Sequence, residues 1–370
     1  MDSDLILIVV VCAALAFDFT NGFHDTANVV ATAISTRAMP AKVAIAGAAV
    51  LNFVGAFLSL EVAAVVAKGV VDPDPSVITM NVIFAGLIGA IVWNIATWYV
   101  GLPSSSSHAL IGGLVGSALF AAGPDAILGD GVLNKVLIPA LLSPILAFAV
   151  AGMSVLIFYR VLGRRRPGPV NRGFRFGQVV SGGLLAIAHG TNDGQKTMGI
   201  LTLALIANGN LSADADPPTW VILSAATALA AGTYAGGWRI INTLGNRIHK
   251  MDAAQGFAAQ SGGAAVILTA SHLGFPLSTT HTISGGVIGS GAAKSISTVK
   301  WGVAGNMLAA WVLTLPAAGL TAGAVYGFTR LFGTGAAGPV VVSAIGVVLL
   351  TITFVRRGRA GRPTTAAVAP

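Results

Sequence analysis

Stretches of roughly 20 apolar residues, each able to cross about 30 Å of hydrocarbon, recur along the chain and constrain its fold more than any other feature. They fall at 4–36, 43–66, 136–159, 177–207, 219–238, 301–329 and 339–355, the first and fourth being overlong and carrying polar interruptions. Two further regions, 81–122 and 256–293, each hold two apolar arms around a polar Pro/Ser/Thr/His centre, the pattern of a helical hairpin. Only 9% of the 370 residues are charged, against about 25% in soluble domains, so the chain cannot cover a water-facing surface and a soluble enzyme is excluded. The 47 glycines and 16 prolines fit spanning helices, where neighbours re-satisfy freed backbone groups. The expected fold is an all-α integral membrane protein of about eleven spans, hairpin arms counted, with broken helices. Cys12, the single cysteine, lies in an apolar run and reads as packing.

The net charge of +8 does not point to nucleic acid, because the basic residues lie in loops. No cleavable leader is expected, since Leu5 to Ala16 is preceded by Asp2 and Asp4 instead of a basic segment. Lys and Arg are enriched in short cytoplasmic loops. Arg160, Arg164, Arg165, Arg166, Arg172 and Arg175 therefore place the central loop inside, and Arg356, Arg357, Arg359 and Arg362 place the C-terminal tail inside. Alternating the spans puts Arg37, Lys42, Arg239, Arg247, Lys250, Lys294 and Lys300 inside as well, and leaves Lys68, Lys135 and Arg330 outside. Asp72, Asp74, Asp125, Asp130, Asp214 and Asp216 fall in loops assigned to the outside. The expectation is a multi-pass protein of the plasma (inner) membrane, its C-terminus cytoplasmic, with a homo-oligomer compatible with the sequence.

The chain repeats itself. GLPSSSSHALIGGLVGSAL (101–119) and GFPLSTTHTISGGVIGSGA (274–292) align without gaps, sharing the proline, two serines, the histidine and four glycines. GFHDTAN (22–28) and GTNDGQK (190–196) share a glycine and an aspartate at nearly the same offset. In the orientation above the first hairpin opens outward and the second inward, so the halves are inverted: 1–160 is the first repeat, 161–176 a basic cytoplasmic loop, 177–330 the second repeat, and 331–370 a final span and basic tail. Inverted repeats place a site near the midplane, where broken helices meet and rocking gives alternating access.

A carboxylate at membrane depth costs about 2.5–3.5 kcal/mol even on the lenient insertion scale. Asp18, Asp25, Glu61 and Asp193 qualify. Asp25 and Asp193 hold equivalent places in the halves, each beside a glycine and an amide or imidazole expected to unwind or line an interrupted helix. Asp18 is a candidate proton carrier or cation ligand, and Glu61, near a span end, reads as snorkelling. Around the central pair stand Asn21, His24 and Asn28, and His189, Asn192, Gln195 and Lys196. Carboxylates and carbonyls suit a hard cation, whereas amide N–H groups, an ammonium and helix N-termini suit an anion. Lys196 must neutralise a carboxylate or bind an anion, its expected partner being Asp193 or Asp25.

Ser105, Ser106 and Ser107, and Ser278, Thr279 and Thr280, stand after a Gly-x-Pro breaker and before a Gly-rich helix, which makes an anion cradle. His108 and His281 are placed to orient them or to move protons. N-capping alone needs one hydroxyl per helix. Serine beside histidine also raises an intramembrane serine hydrolase, but one nucleophile suffices for that chemistry and the motif is duplicated. A non-transporting scaffold is the other remote reading. His272 and the tryptophans Trp93, Trp98, Trp220, Trp301 and Trp311 read as packing or interfacial anchors, and His249 as a loop residue.

With these residues in view, the chain resembles the inorganic phosphate transporter (PiT) family over nearly its whole length. That family's signature is a repeated Gly-x-Asn-Asp-x-x-Asn with hydroxyl-rich hairpin tips. It falls on Gly22, His24, Asp25 and Asn28, and on Gly190, Asn192, Asp193 and Lys196, with the tips at Ser105–Ser107 and Ser278–Thr280. His24 replaces the first Asn and Lys196 the last. These variants resemble the bacterial low-affinity branch, which implies proton coupling and phosphate carried as a neutral complex with a divalent metal such as magnesium. An ammonium where an amide oxygen is usual repels sodium, and the imidazoles of His24 and His189 exchange protons. The resemblance thus implies a proton-coupled phosphate importer without a resident cofactor, sodium coupling being the alternative. Asn28, Asn192, Lys196 and the six tip hydroxyls are assigned to phosphate; Asp25, Asp193, His24, His189, Asp18, His108 and His281 to the coupling ion; and Asp25 with Asp193 to any metal.

Overall fold

The computed structural model describes residues 2–359 except 73, 75 and 76, and within them the apolar stretches fold as helices. In order these are α1 (Asp2–Ser35), α2 (Ala41–Gly55), α3 (Glu61–Lys68), α4 (Met80–Val100), α5 (Ser106–Ala122) and the single turn α6 (Gly129–Gly131), which runs through a π-helical turn into α7 (Ile138–Leu162). There follow α8 (Pro167–Ala207), α9 (Thr219–Ala235), α10 (Trp238–Asn242), α11 (Ala253–His272), α12 (Thr279–Lys294), α13 (Trp301–Arg330) and α14 (Ala337–Arg359). The described residues form no strand, only an isolated bridge between Val71 and Ile127.

Among the described residues, four helices are long and apolar enough to cross a membrane: Ser3–Ser35, Met80–Val100, Gly129–Leu162 and Trp301–Arg330. Leu141, Leu142 and Ile145 on α7 and Val312, Leu313 and Leu320 on α13 stay more than half exposed, a surface suited to lipid chains and not to water. The two larger apolar cores lie inside: one joins α1, α3, α4, α5 and α8, the other α1, α2, α8, α11 and α12.

Both expected hairpins are present, and their turns follow from local chemistry. Gly101 and Gly274 take left-handed backbone, with φ of 69° and 74°, a conformation cheap only for glycine. Pro103 and Pro276 then prevent the helix from resuming at once. Ser105 restarts it by accepting from the His108 amide at 3.1 Å, and Ser278 does the same for the His281 amide at 3.2 Å. Each second arm packs on a helix from the opposite half of the chain. A Cβ on Gly112 or Gly116 of α5 would meet Leu315 O or Gly319 Cα of α13 at 2.6 and 2.3 Å. On Gly285 or Gly289 of α12 it would meet Pro144 O or Phe148 O of α7 at 2.3 and 2.2 Å.

The expected interruption at Asp25 and Asp193 is not found: α1 and α8 run unbroken through both. The neighbouring glycines serve helix contact instead. A Cβ on Gly22 would sit 2.3 Å from Leu229 O on α9, and one on Gly190 would sit 2.1 Å from Asn52 O on α2. The breaks fall elsewhere, at the hairpin tips, between α2 and α3, and at Gly236–Gly237 between α9 and α10. Residues 167–176, expected within a basic loop at 161–176, are the opening turns of α8, with Pro167 in the first turn where its missing N–H costs nothing. Arg362 and the tail at 360–370 lie outside the described residues.

Candidate functional site

Asp18, Asn21, Asp25 and Asn28 recur along α1 at helical spacing, and His189, Asn192, Asp193 and Lys196 do so along α8, so each set shares one helix face. All are buried, none more than 1% exposed. The two faces meet the hairpin tips. Asp25 Oδ2 accepts from Ser106 Oγ at 2.6 Å, and its Oδ1 lies 2.7 Å from His24 Nδ1 and 3.2 Å from Thr280 Oγ1. Asn28 Nδ2 donates to Thr280 Oγ1 at 2.9 Å and to Thr279 Oγ1 at 3.4 Å. Thr279 Oγ1 in turn donates to Asp193 Oδ2 at 3.1 Å. The second tip therefore bridges the two carboxylates.

Lys196 pairs with Asp193 and also donates to Ser107 Oγ at 2.5 Å and Leu277 O at 2.8 Å. One buried ammonium thus holds α8 and both tips together. His189 Nε2 lies 3.1 Å from Asp193 Oδ2, and one donor atom each from Asp25, His189 and Asp193 lie within 4.8 Å of one another. Two carboxylates and an imidazole at that spacing suit a divalent cation. Several buried acceptors have no hydrogen-bond donor: both oxygens of Asp18 and the carbonyl oxygens of Asn21, Asn28 and Asn192. Buried polar atoms without partners are costly, and a cation or a bound oxyanion's protons would satisfy them.

The remaining assigned residues are placed as follows. Ser105 and Ser278 cap α5 and α12, an occupation of their lone pairs that leaves their O–H groups free to donate. Asn192 Nδ2 donates to Ser271 Oγ at 2.8 Å and Phe275 O at 3.1 Å. His108 and His281 stand edge to face with ring centroids 4.7 Å apart, and His281 stacks on Trp311 at 4.2 Å. Trp311 Nε1 donates to Pro103 O at 3.1 Å, so this aromatic stack fastens the first tip. Asp18 is wholly buried beside Thr197 and Asn21. Glu61 is exposed at the start of α3. His249 is buried, its Nε2 2.9 Å from Val287 O, and packs against α12.

Sequence reasoning missed three supports. Thr97 and Ser104 lie 3.2 and 3.3 Å from His24 Nε2 and hydrogen-bond each other at 2.7 Å. Gln195 Oε1 accepts from the amides of Val62 and Ala63 at 2.9 and 3.2 Å, capping α3 from α8. Asn52 Nδ2 donates to Thr233 Oγ1 at 2.9 Å, linking α2 to α9. A helix start without its own capping side chain, at Leu60, was the only local signal for any of them.

A buried cluster of carboxylates, amides, hydroxyls and one ammonium, closed between two long helices and two hairpin tips of a lipid-suited helical body, defines a membrane transport protein and not an enzyme. The tip hydroxyls of Ser106 and Ser107 donate to Asp25 and to Leu277 O, not to an imidazole. The model of the phosphate transporter family matches residues 21–170 and 164–322, and the chain belongs to that family. It is 49% identical over 356 residues, 96% of this chain and 85% of the relative, to a Mycobacterium bovis protein named "Probable low-affinity inorganic phosphate transporter". A Bacillus subtilis protein of the same name is 47% identical over 318 residues, 85% of this chain and 95% of the relative. Among solved structures, "The sodium-dependent phosphate transporter" superposes with a TM-score of 0.76 at 24% identity, covering 88% of this chain and 99% of that one. At that identity the likeness is one of fold.

Proposed function

We propose that the protein imports inorganic phosphate by proton symport with alternating access, accepting it as a neutral complex with a divalent metal. The observation that carries the coupling is Lys196, whose ammonium is held at the centre by Asp193, Ser107 and Leu277 O. A fixed positive charge there opposes a bare sodium ion and favours an oxyanion. When the tips part from α1, from α8 and from each other, Ser106, Ser107, Thr279 and Thr280 lose their carboxylate and carbonyl partners. A phosphate entering between them accepts the same O–H groups, with Lys196, Asn28 and Asn192 donating from the helices. Asp25, His189 and Asp193 supply the ligands for the accompanying metal, which is cargo in this reading. His24, braced by Thr97 and Ser104 against Asp25, is the proton-exchange group on α1. Asp18, His108 and His281 belong to the same proton-bearing set.

Charge balance supports co-transport. Bringing an anion into a negative interior costs about 2.3 kcal/mol per charge per 100 mV, which a proton or a divalent metal removes. We place the C-terminus and the α7–α8 junction on the cytoplasmic side of the plasma membrane, with about eleven crossing segments in two inverted repeats. The matched packing of α5 on α13 and of α12 on α7, through glycines at corresponding motif positions, supports the repeat. Sodium coupling is the second reading; the donor-free carbonyl oxygens of Asn21 and Asn28 favour it, as does the name of the structural neighbour.

Radiolabelled phosphate uptake into proteoliposomes separates these readings, with an imposed pH gradient, sodium present or absent, and magnesium supplied or chelated. Uptake driven by the proton gradient, indifferent to sodium and lowered by chelation is the expected result. A strict sodium requirement would overturn the coupling and keep the substrate.

A further inference from the structure

The end of the molecule where α7 passes into α8 carries a second feature that the central site does not use. Arg160, Arg164, Arg165, Arg166, Arg172 and Arg175 are all exposed there, and none forms an ion pair among the described residues. Asp252, the carboxylate that opens α11, is already engaged by Tyr159 at 2.6 Å and Lys294 at 3.4 Å. Two of the six arginines, Arg165 and Arg166, line a cleft of about 740 Å³ whose other walls include Leu162, Val170, Phe174 and Phe257.

The wall of that cleft is built from three helices. Leu162 of α7, Phe174 of α8 and Phe257 of α11 line it, and Phe158 of α7 packs on the two phenylalanines, the three ring centroids lying 5.0, 5.8 and 5.8 Å apart. The opening turns of α8 leave room for a ligand: a Cβ on Gly173 would meet nothing within 4 Å, while on Gly177 it would touch the Phe257 ring at 3.0 Å. Because the apolar run of α7 ends at Phe158 and its last turn carries Tyr159 and Arg160, the cleft stands where its span leaves the hydrocarbon. Guanidinium groups bind phosphate oxygens bidentately. An apolar aromatic wall directly below them suits an acyl chain, and basic pockets between spanning helices are sites for anionic head groups.

We propose that this cleft binds an anionic phospholipid, its phosphodiester held by Arg165 and Arg166 and an acyl chain laid against Val170, Phe174 and Phe257. The aromatic wall distinguishes a lipid from a soluble anion, and the unpaired arginines distinguish an anionic lipid from a zwitterionic one. Bound there, the lipid ties α8, which bears Asp193 and Lys196, to α7 and to α11, whose hairpin bears Thr279 and Thr280.

Native mass spectrometry of the purified full-length protein tests this, titrating phosphatidylglycerol, phosphatidylcholine of the same chains, and glycerol 3-phosphate as a competitor. The wild type should bind phosphatidylglycerol more tightly than phosphatidylcholine, and glycerol 3-phosphate at equal concentration should not displace it. R165Q/R166Q should weaken phosphatidylglycerol by about tenfold or more. R160Q/R164Q removes the same charge from outside the cleft and should change it by less than about threefold. R165K/R166K, which keeps the charge and loses the guanidinium fork, should fall between them, and Phe174→Ala should weaken both lipids. Equal losses in the two glutamine pairs, equal affinity for the two lipids, or displacement by glycerol 3-phosphate would each overturn the proposal.

Discussion

Asp25 and Asp193 occupy corresponding motif positions, yet their surroundings differ. Asp25 is held by neutral hydroxyls and an imidazole, whereas Asp193 faces the only ammonium in the cluster. Removing one partner of a buried ion pair costs about 3–5 kcal/mol, because the other charge stays buried and uncompensated, while replacing both partners is far milder. Because both carboxylates lie in the proposed site, Asp25→Asn and Asp193→Asn should each lower phosphate uptake by at least about a hundredfold, a loss of about 2.7 kcal/mol or more. Their stabilities should diverge. Asp25→Asn should melt near the wild type, Asp193→Asn well below it, and Asp193→Asn/Lys196→Met should recover most of the loss while staying inactive. Thermal unfolding in detergent beside proteoliposome uptake measures both, and near wild-type transport by either single variant would show the carboxylates to be misassigned.

At the scale of elements, the glycines beside the aspartates carry a lesson about what a motif means. Gly22 and Gly190 looked like points of unwinding, but both sit inside continuous helices and allow backbone-to-backbone approach to α9 and α2. Small residues are how spanning helices approach closely where no water drives them together. Gly22→Ala and Gly190→Ala should each destabilise by about 1–3 kcal/mol through overpacking. Gly47→Ala on α2, where a Cβ meets nothing within 4 Å, should be neutral or stabilising by up to about 1 kcal/mol. Melting temperatures of the three variants check this, and a stable Gly190→Ala would refute the close contact. The hairpins were legible in full, since Gly, Pro and a capping serine act within a few residues of one another. Gln195 was not, because the amides it caps belong to Val62 and Ala63, on a helix far away in sequence.

For the whole molecule, the lopsided arginines predict an orientation that chemistry can read. With Cys12 replaced by serine, Arg165→Cys should react with a membrane-impermeant thiol reagent only after intact cells are permeabilised. Asp214→Cys, in the exposed loop before α9, should react at once. The opposite pattern would invert the proposed topology. The sequence by itself determined the class of fold, the two hairpins and the chemical inventory of the site, because burial in hydrocarbon, turn formation and capping are decided by composition and by neighbours along the chain. Tertiary structure alone decided that α1 and α8 stay unbroken, that each second hairpin arm packs on a helix from the other half, and that Lys196, beyond its expected carboxylate, reaches Ser107 and Leu277 on the two tips. Those outcomes depend on which surfaces meet in space, and residues far apart in sequence carry no local mark of the partner that will satisfy them.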